Sequence, residues 1–143
     1  MIKIIAVGKI KEEYLKDMID DYQKRINKYH KLEIIEITDD DKQAEGKRII
    51  PKITIGYNIA LEINGLKRNS EEFAILIDKT LMYKANINFI IGGSDGLSKE
   101  VLDICDMHLS FGNMTYPHGL FRGILLEQIY RAFKIINNET YHK

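Results

Sequence analysis

Short apolar runs alternate with longer amphipathic stretches along the whole chain. The apolar runs predict five β-strands, at residues 2–7, 32–38, 57–63, 87–91 and 107–111. The first four are rich in isoleucine, whose β-branched side chain loses less conformational freedom in a strand than in a helix. Short continuous apolar runs suit strands that are covered on both faces. This alternation predicts an α/β domain, built on a mainly parallel sheet of five or six strands with helices on both faces.

The stretches between the strands carry apolar residues every three or four positions, which is the period of a helix. The clearest stripe runs from Leu15 to Tyr29. Further helices are predicted to start near Asn69, Ser98 and Pro117, residue types that favour the beginning of a helix. The acidic run at 39–41 predicts a solvated loop that leads into a helix's first turn.

The composition bounds the class of protein. A chain of 143 residues with 45% apolar side chains suits one domain, 1–143, with a sizeable core. No apolar run approaches the roughly 20 residues of a membrane span, and charge follows the first residues too soon for a signal peptide, so we expect a cytoplasmic protein. Cys105 is the only cysteine, which excludes an intramolecular disulfide and a cysteine-based zinc cluster. The four histidines form no ligand pattern, so no metal is predicted.

The charge balance limits the kinds of partner. Lys and Arg together number 21, and Asp and Glu together also number 21. Such a chain has no global positive field to attract nucleic acid or an anionic membrane. Any binding of RNA therefore needs a local basic surface.

A glycine-rich loop follows the fourth predicted strand, where residues 90–98 are Ile-Ile-Gly-Gly-Ser-Asp-Gly-Leu-Ser. At the carboxyl edge of a parallel strand, glycines let a ligand approach the backbone, and free amides bind polar groups of a nucleotide or cofactor. The spacing is neither a dinucleotide fingerprint nor a phosphate-binding loop, so NAD and ATP are poorly supported. A simple turn that needs positive φ explains the glycines equally well.

A second loop, at 109–118, is polar and aromatic, and such a loop can wrap a small amphipathic ligand. In the helix that follows, His118 and Arg122 are four positions apart and share a face. For an isolated helix, a salt bridge of Arg122 or Arg131 with Glu127 is the simpler explanation of these arginines. Residues 141–143, Tyr-His-Lys, suit a stacked base and a phosphate, whereas a frayed terminus is the ordinary expectation.

Taken in order, these segments resemble a known family. The matching segments are Ile4-Ile5-Ala6-Val7-Gly8-Lys9, Ile59-Ala60-Leu61-Glu62, Ile91–Leu97, Leu109-Ser110, Met114–His118, Arg122, Leu126–Ile135 and Tyr141-His142-Lys143. From end to end, the chain resembles the bacterial ribosomal large subunit methyltransferase H family, the small SPOUT-class enzymes that methylate N3 of a pseudouridine in 23S ribosomal RNA. The carboxyl-terminal third carries the most specific part of the match.

The resemblance implies an α/β fold with a C-terminal trefoil knot, a homodimer, and S-adenosylmethionine bound in a bent form. It also implies the target, pseudouridine 1915 of 23S ribosomal RNA, methylated on the assembled ribosome. Two alternatives remain open. One is a catalytically inactive ribosome- or RNA-binding factor of the same fold, and the other is a SPOUT methyltransferase with a different RNA target.

The resemblance also implies the residues of the site. Those expected around the cofactor are Leu61, Gly92, Phe111, Gly112, Asn113, Met114, Thr115 and Tyr116. Those expected on the catalytic, RNA-facing side are His118, Arg122, Tyr141 and His142, with the tail completing the partner subunit's site.

In-line methyl transfer needs positioning of the reactants and loss of the N3 proton, and it requires neither a metal nor a covalent intermediate. We therefore expect the imidazole of His118 or His142 to assist deprotonation. Arg122 is expected to stabilise the negative charge that develops on the neighbouring carbonyl oxygens. Tyr141 is better suited to stacking on the target base.

Some features depart from the family pattern or limit its RNA contacts. The segment 39–52 is shorter than in typical members. Gly119 and Gly123 stand where the family usually has glutamine and a larger apolar residue; this spacing permits close helix packing across a dimer, although sequence drift is the simpler explanation. The cations available for a local RNA-binding patch are Lys9, Lys11, Arg122, Arg131, Lys134 and Lys143.

Overall fold

The computed structural model describes residues 1–141; His142, one of the predicted catalytic residues, and Lys143 lie outside the described part. The strands are β1 (Ile2–Val7), β2 (Leu32–Ile37), β3 (Tyr57–Lys67), β4 (Ile87–Ile91) and β5 (Met107–Ser110). The helices are α1 (Glu13–Asn27), α2 (Lys42–Ile49), α3 (Ser70–Tyr83), α4 (Lys99–Asp103) and α5 (His118–Ile136), and a 3₁₀ turn (Ile50–Lys52) follows α2. Within residues 1–141, no helix combines the length and the apolar character needed to cross a membrane.

The five strands form one sheet in the order β2-β1-β4-β3-β5, and every neighbouring pair is parallel. This confirms the predicted parallel sheet and its five strands. Parallel pairing brings the carboxyl ends of β1, β3, β4 and β5 to one edge, so the loops that follow these strands meet there.

β3 runs four residues beyond its predicted end at Ile63, to Lys67. Asn64-Gly65 is a sequence typical of a turn, which is why the sequence predicts an earlier stop. The chain instead stays extended, and a side chain at Gly65 would meet the backbone of His108 on β5 at 2.6 Å. Pairing between β3 and β5 shifts register between Leu61 and Leu66. The backbone contact with β5 thus overrides the local turn preference.

The two faces of the sheet carry separate cores. On one face, α1, α3 and α5 pack against Ile4 of β1 and its neighbours. On the other face, Ile5 and Val7 of β1 contact a cluster that includes Ile49 of α2 and Val101 of α4. Helices therefore cover both faces, as predicted. The C-terminal knot implied by the resemblance stays a prediction.

Helices α3, α4 and α5 begin immediately after Asn69, Ser98 and Pro117, the residues that predicted their starts. Asn69 and Glu72 form a capping box, in which each side chain accepts a hydrogen bond from the other residue's backbone N–H at 2.8 Å. Ser98 caps α4 by accepting from the backbone N–H of Val101 at 3.3 Å. Pro117 stands immediately before α5. Capping is local, so the sequence alone indicates these starts.

The acidic run leads, as predicted, into the first turn of a helix. The Asp41 carboxylate accepts a hydrogen bond from the backbone N–H of Ala44 at 2.8 Å and caps α2. Gly46 lets α2 approach α4, because a side chain there would strike the Ser98 hydroxyl. The shortened segment thus still forms a helix of eight residues over this face of the sheet.

Gly119 and Gly123 face α1 of the same chain. A side chain at Gly119 would meet the Leu15 Cδ1 atom at 2.7 Å and the Ile10 Cδ1 atom at 2.9 Å. A side chain at Gly123 would overlap the end of the Met18 side chain. The two glycines therefore serve the packing of α5 on α1 within one chain.

Candidate active site

A cavity of about 720 Å³ lies at the carboxyl edge of β3, β4 and β5. Pockets that hold small molecules and cofactors have this range of volume. Its walls are the middle of β3, from Leu61 to Asn64, the glycine loop after β4, the loop after β5 and the first turn of α5.

Most of the residues expected around a cofactor line this cavity. They are Leu61, Gly92, Phe111, Gly112, Met114, Thr115 and Tyr116, whereas Asn113 does not line it. His118, a predicted catalytic residue, also lines the wall, as the first residue of α5. The structure thus brings together three segments that are far apart in sequence.

The glycine loop is both a tight turn and a cavity wall, so both interpretations of its sequence apply. Gly93 and Gly96 pair across the turn, with the Gly96 N–H donating to the Gly93 carbonyl at 3.0 Å. Gly96 has a φ of +79°, a backbone conformation that favours glycine. At Gly92, a side chain would meet the backbone of Gly96 at 2.7 Å. The turn can close only with glycine at this position.

α2 supports the glycine loop from behind. The Glu45 carboxylate is 5% exposed and accepts a hydrogen bond from the backbone N–H of Asp40 at 3.0 Å. A side chain at Gly93 would come within 3.0 Å of that carboxylate. The loop therefore rests directly on α2, an element that the sequence left undefined beyond its first turn.

The loop after β5 forms the opposite wall. The Ser110 hydroxyl accepts a hydrogen bond from the Gly112 N–H at 3.1 Å, and Gly112 has a φ of +111°. Phe111 and Tyr116 both contact Phe121 of α5, with ring centroids 5.4 and 5.9 Å apart. These contacts fix an aromatic wall, while Met114, 78% exposed, stands at the mouth.

The cavity carries charges of both signs. Lys42, Glu62, Asp95 and His118 line it. Glu62 is paired with the imidazole of His108, whose Nδ1 atom lies 3.3 Å from the Glu62 carboxylate. The sequence does not mark Lys42 or Glu62 as charged site residues, because only the tertiary fold brings α2 and the middle of β3 to the cavity.

Arg122 does not line the cavity. Its side chain is 2% exposed, and the guanidinium donates to the Glu36 carboxylate at 2.8 Å and to the Gly8 carbonyl at 2.9 Å. The same carboxylate accepts from the backbone N–H of Ile10 at 3.1 Å. Arg122 therefore joins α5 to the ends of β1 and β2. Of the two salt bridges considered for Glu127, the one with Arg131 forms and the one with Arg122 does not.

Tyr141 does not line the cavity either. Its hydroxyl donates to the Glu127 carboxylate at 3.0 Å, on the outer part of α5. Glu127 is nine residues beyond His118 along α5, a distance of about 13 Å at 1.5 Å per residue. Within one chain, Tyr141 and the cavity wall at His118 are thus separated by more than two helical turns.

Several of the six cations expected in a local RNA-binding patch are buried or paired with carboxylates. Arg122 is buried, Arg131 pairs with Glu127 at 3.0 Å, and Lys134 pairs with Glu139 at 3.0 Å. Lys9 and Lys11 are exposed beside the end of β1. Among the six cations, these two are the ones that the described residues 1–141 present to solvent as expected.

Metal and thiol chemistry find no support in the described part of the chain. Among residues 1–141, no three His, Cys, Asp or Glu side chains are grouped so that they could hold a metal ion. Cys105 lies just before β5, and burial, with a smaller effect from Asp106, raises the pKa of its thiol to about 11. A thiol that is protonated at neutral pH is a poor nucleophile.

This pKa predicts a slow reaction of Cys105 with Ellman's reagent. At pH 8 the thiolate fraction falls about 100-fold relative to a thiol of pKa 9.0, whereas the nucleophilicity of the remaining thiolate rises about tenfold. We therefore expect the folded protein to react about tenfold more slowly than the chain unfolded in guanidinium chloride. Equal rates would show that the thiol is not held in this environment.

The whole chain matches a family of known proteins. A family model described as "Predicted SPOUT methyltransferase" matches residues 1–142. The ribosomal RNA large subunit methyltransferase H of Carboxydothermus hydrogenoformans is 52% identical over 157 aligned positions, which cover 99% of this chain and 99% of that protein. The protein of the same name from Clostridium novyi is 50% identical with the same coverage. An alignment longer than 143 residues contains gaps in this chain, so the chain is shorter than these relatives.

Solved structures share the fold. A probable methylase family protein from Haemophilus influenzae Rd KW20 matches with a TM-score of 0.56 at 16% identity, over 99% of this chain and 69% of that one. The SpoU methyltransferase AviRb from Streptomyces viridochromogenes, solved in complex with AdoMet, matches with a TM-score of 0.52 at 11% identity, over 90% of this chain and 56% of that one. With a cavity at the edge of a parallel sheet and relatives that match from end to end, the chain belongs to the ribosomal RNA large subunit methyltransferase H family of SPOUT methyltransferases.

Proposed function

We propose that this protein transfers a methyl group from S-adenosylmethionine to N3 of pseudouridine 1915 in 23S ribosomal RNA, on the assembled ribosome and as a homodimer. The observation that carries the proposal is the cavity at the carboxyl edge of the sheet, where the glycine loop, the aromatic loop and His118 meet. It joins a cofactor-sized space to a group that can accept a proton.

The residues of the cavity fit S-adenosylmethionine. Leu61 and Phe111 offer apolar surface to a flat ring, and the backbone of the glycine loop is open to a close approach. Lys42 suits a carboxylate, while Glu62 and Asp95 suit groups of positive charge. A molecule with an aromatic ring, a carboxylate and two cationic centres therefore finds a complement for each part.

The reaction then needs little from the protein beyond position and proton transfer. Bound S-adenosylmethionine supplies a methyl group on a positively charged sulfur. The walls around Gly92 and Phe111 hold the reactants in line and exclude water. His118, at the wall, accepts the proton that N3 loses. We propose no part in the chemical step for Arg122, since its guanidinium is bonded to Glu36 and Gly8 in the interior.

The position of Tyr141 favours a site completed by a second subunit. The tail of one chain is docked against Glu127, more than two helical turns from His118 along α5. If Tyr141 and His142 act on the target base, they act in the cavity of the partner subunit. A homodimer then carries two sites, each with a cavity from one chain and a tail from the other.

The proposal is tested first by calorimetry with S-adenosylmethionine and the purified protein. We expect one binding site per cavity, whereas an inactive RNA-binding factor of the same fold need not bind the cofactor. The second test is mass spectrometry of ribosomal RNA from a strain that lacks the gene. Loss of the methyl group at pseudouridine 1915 supports the proposed target, and its loss at another nucleotide contradicts that target and identifies a different one.

The charge of the chain bears on whether it acts on naked 23S RNA or on the assembled ribosome. The chain has no net charge, and two cations proposed for the RNA-binding patch, Arg131 and Lys134, are paired with carboxylates, so the patch offers little attraction for free RNA. We expect methyl transfer to be faster with whole ribosomes than with naked 23S RNA, measured with labelled cofactor. Equal rates on the two substrates would contradict recognition of the assembled particle.

A further inference from the structure

The tail after α5 reverses direction and runs back along the helix. Asn138 has a φ of +56°, and the Glu139 N–H donates to the Lys134 carbonyl at 2.9 Å, closing the turn. Tyr141 then reaches Glu127, which lies nine residues before the end of α5 at Ile136. The tail is therefore docked on α5 at two places, Glu139 and Tyr141.

The first docking point is Glu139. Its carboxylate accepts from the Tyr29 hydroxyl at 2.8 Å and from the Lys134 ammonium at 3.0 Å. These hydrogen bonds lower the pKa of the Glu139 carboxyl below its usual value, the bond from Tyr29 contributing most. Glu139 thus ties the tail to α5 and to the turn that follows α1.

The second docking point is built around Glu127, both of whose carboxylate oxygens accept hydrogen bonds. One oxygen accepts from Arg131 and Gln128, each at 3.2 Å, and the other accepts from Arg131 and from the Tyr141 hydroxyl, each at 3.0 Å. The Arg131 guanidinium also lies 4.8 Å from the centroid of the Tyr141 ring. The Tyr141 ring also makes an edge-on contact with the Tyr130 ring, with the two centroids 5.0 Å apart.

The Glu127–Arg131 pair differs from an ordinary surface ion pair in its burial and in its third partner, Tyr141. The side chains of Glu127 and Arg131 are 21% and 23% exposed, so water screens their interaction only partly. An isolated pair four residues apart on a helix needs no third partner. Here both members of the pair also contact Tyr141 of the tail. Glu127 accepts a hydrogen bond from the Tyr141 hydroxyl, and the Arg131 guanidinium lies over the Tyr141 ring.

We propose that Glu127 and Arg131 are positioning residues, which hold Tyr141 and so set where the end of the chain leaves α5 toward the partner subunit's cavity. This inference rests on the proposed function and adds to it residues that never touch the methyl donor. A tail held at Tyr141 loses less conformational entropy when it engages the target base, and docking therefore speeds methyl transfer.

The test compares Glu127→Gln, Tyr141→Phe and the double variant in methyl transfer to ribosomes. We expect each single change to lower kcat about tenfold, the cost of one hydrogen bond to a charged group, with the KM for S-adenosylmethionine unchanged. The double variant should lose no more than either single variant, because both changes break the same contact. Asp103→Asn, which breaks a comparable pair with the exposed Lys99 on α4, is the matched control and should keep the wild-type kcat.

A spectroscopic readout separates docking from activity. With tyrosine labelled at the ring carbon that carries the hydroxyl, the Tyr141 resonance is identified by its loss in Tyr141→Phe. Burial and the bond to Glu127 raise the pKa of the Tyr141 hydroxyl, burial contributing most. In Glu127→Gln we expect that resonance to shift and to titrate at lower pH, with the melting temperature recorded in parallel.

The outcomes are distinct. If wild-type protein methylates ribosomal RNA and both single variants keep its kcat, Glu127 is a merely structural residue and the inference is wrong, while the proposed function stands. An unmoved Tyr141 resonance in Glu127→Gln would overturn the docking itself. If wild-type protein transfers no methyl group to ribosomes at all, the proposed function fails, and the positioning role fails with it.

Discussion

Replacing Arg122 by methionine is expected to lower the free energy of unfolding by about 3 kcal/mol, the lower end of the cost of breaking a buried ion pair. Methionine keeps much of the volume and removes the guanidinium. Glu36 then loses its cation, and the Gly8 carbonyl loses its donor. The lower end applies because Glu36 is 41% exposed, so water can solvate the remaining carboxylate.

The measurement is urea denaturation, supported by thermal melts. A loss of this size corresponds to a melting temperature roughly 6 to 12 °C lower for a domain near this length. Lys99→Met is the matched control, because the Lys99 side chain is 85% exposed in its ion pair with Asp103, and such exposed pairs contribute at most about 1 kcal/mol. Similar stability losses for the two variants would show that the Arg122 network does not join α5 to the sheet.

Replacing Gly92 by alanine is expected to weaken the binding of S-adenosylmethionine by about 100-fold, the upper range of the cost of overpacking. The added methyl group would meet the carbon and oxygen atoms of the Gly96 backbone at 2.7 Å. A backbone cannot rotate away as a side chain can, so the turn itself must open. Because that turn is a wall of the cavity, the change acts on the shape of the site.

Isothermal calorimetry measures this loss, and Gly123→Ala is the control. That methyl group meets the flexible end of the Met18 side chain, which can turn aside, and Gly123 does not line the cavity. We expect its cofactor affinity to stay within about twofold of wild type. If Gly92→Ala binds as tightly as Gly123→Ala, the cavity described above is not the cofactor site.

The sequence predicts the structure best where the controlling interactions are local. The strand at 2–7 and the strand at 87–91 agree with the structure residue by residue, because short runs rich in isoleucine favour a strand without help from distant residues. Asn69 indicates its helix through a capping box that spans four residues. The glycine loop and the aromatic loop were also marked by composition, and both line the cavity.

The predictions were weaker where a residue's partner is distant. Arg122 shares a helical face with His118, but its predicted place in the site came from the family resemblance. The structure instead buries its guanidinium against the Gly8 carbonyl, 114 positions away. In the same way, Lys42 entered the cavity lining only because α2 packs on the glycine loop.

The sequence by itself determined the order of strands and helices, the helix starts, the parallel sheet and the family. These properties follow from periodicity, from caps and from motifs, which act over a few residues. Only the tertiary structure decided that Arg122 is a structural link, that β3 extends past Gly65, and that Tyr141 docks on Glu127. Each of those depends on contacts between segments that meet only when the sheet and its helices pack, and no local pattern specifies them.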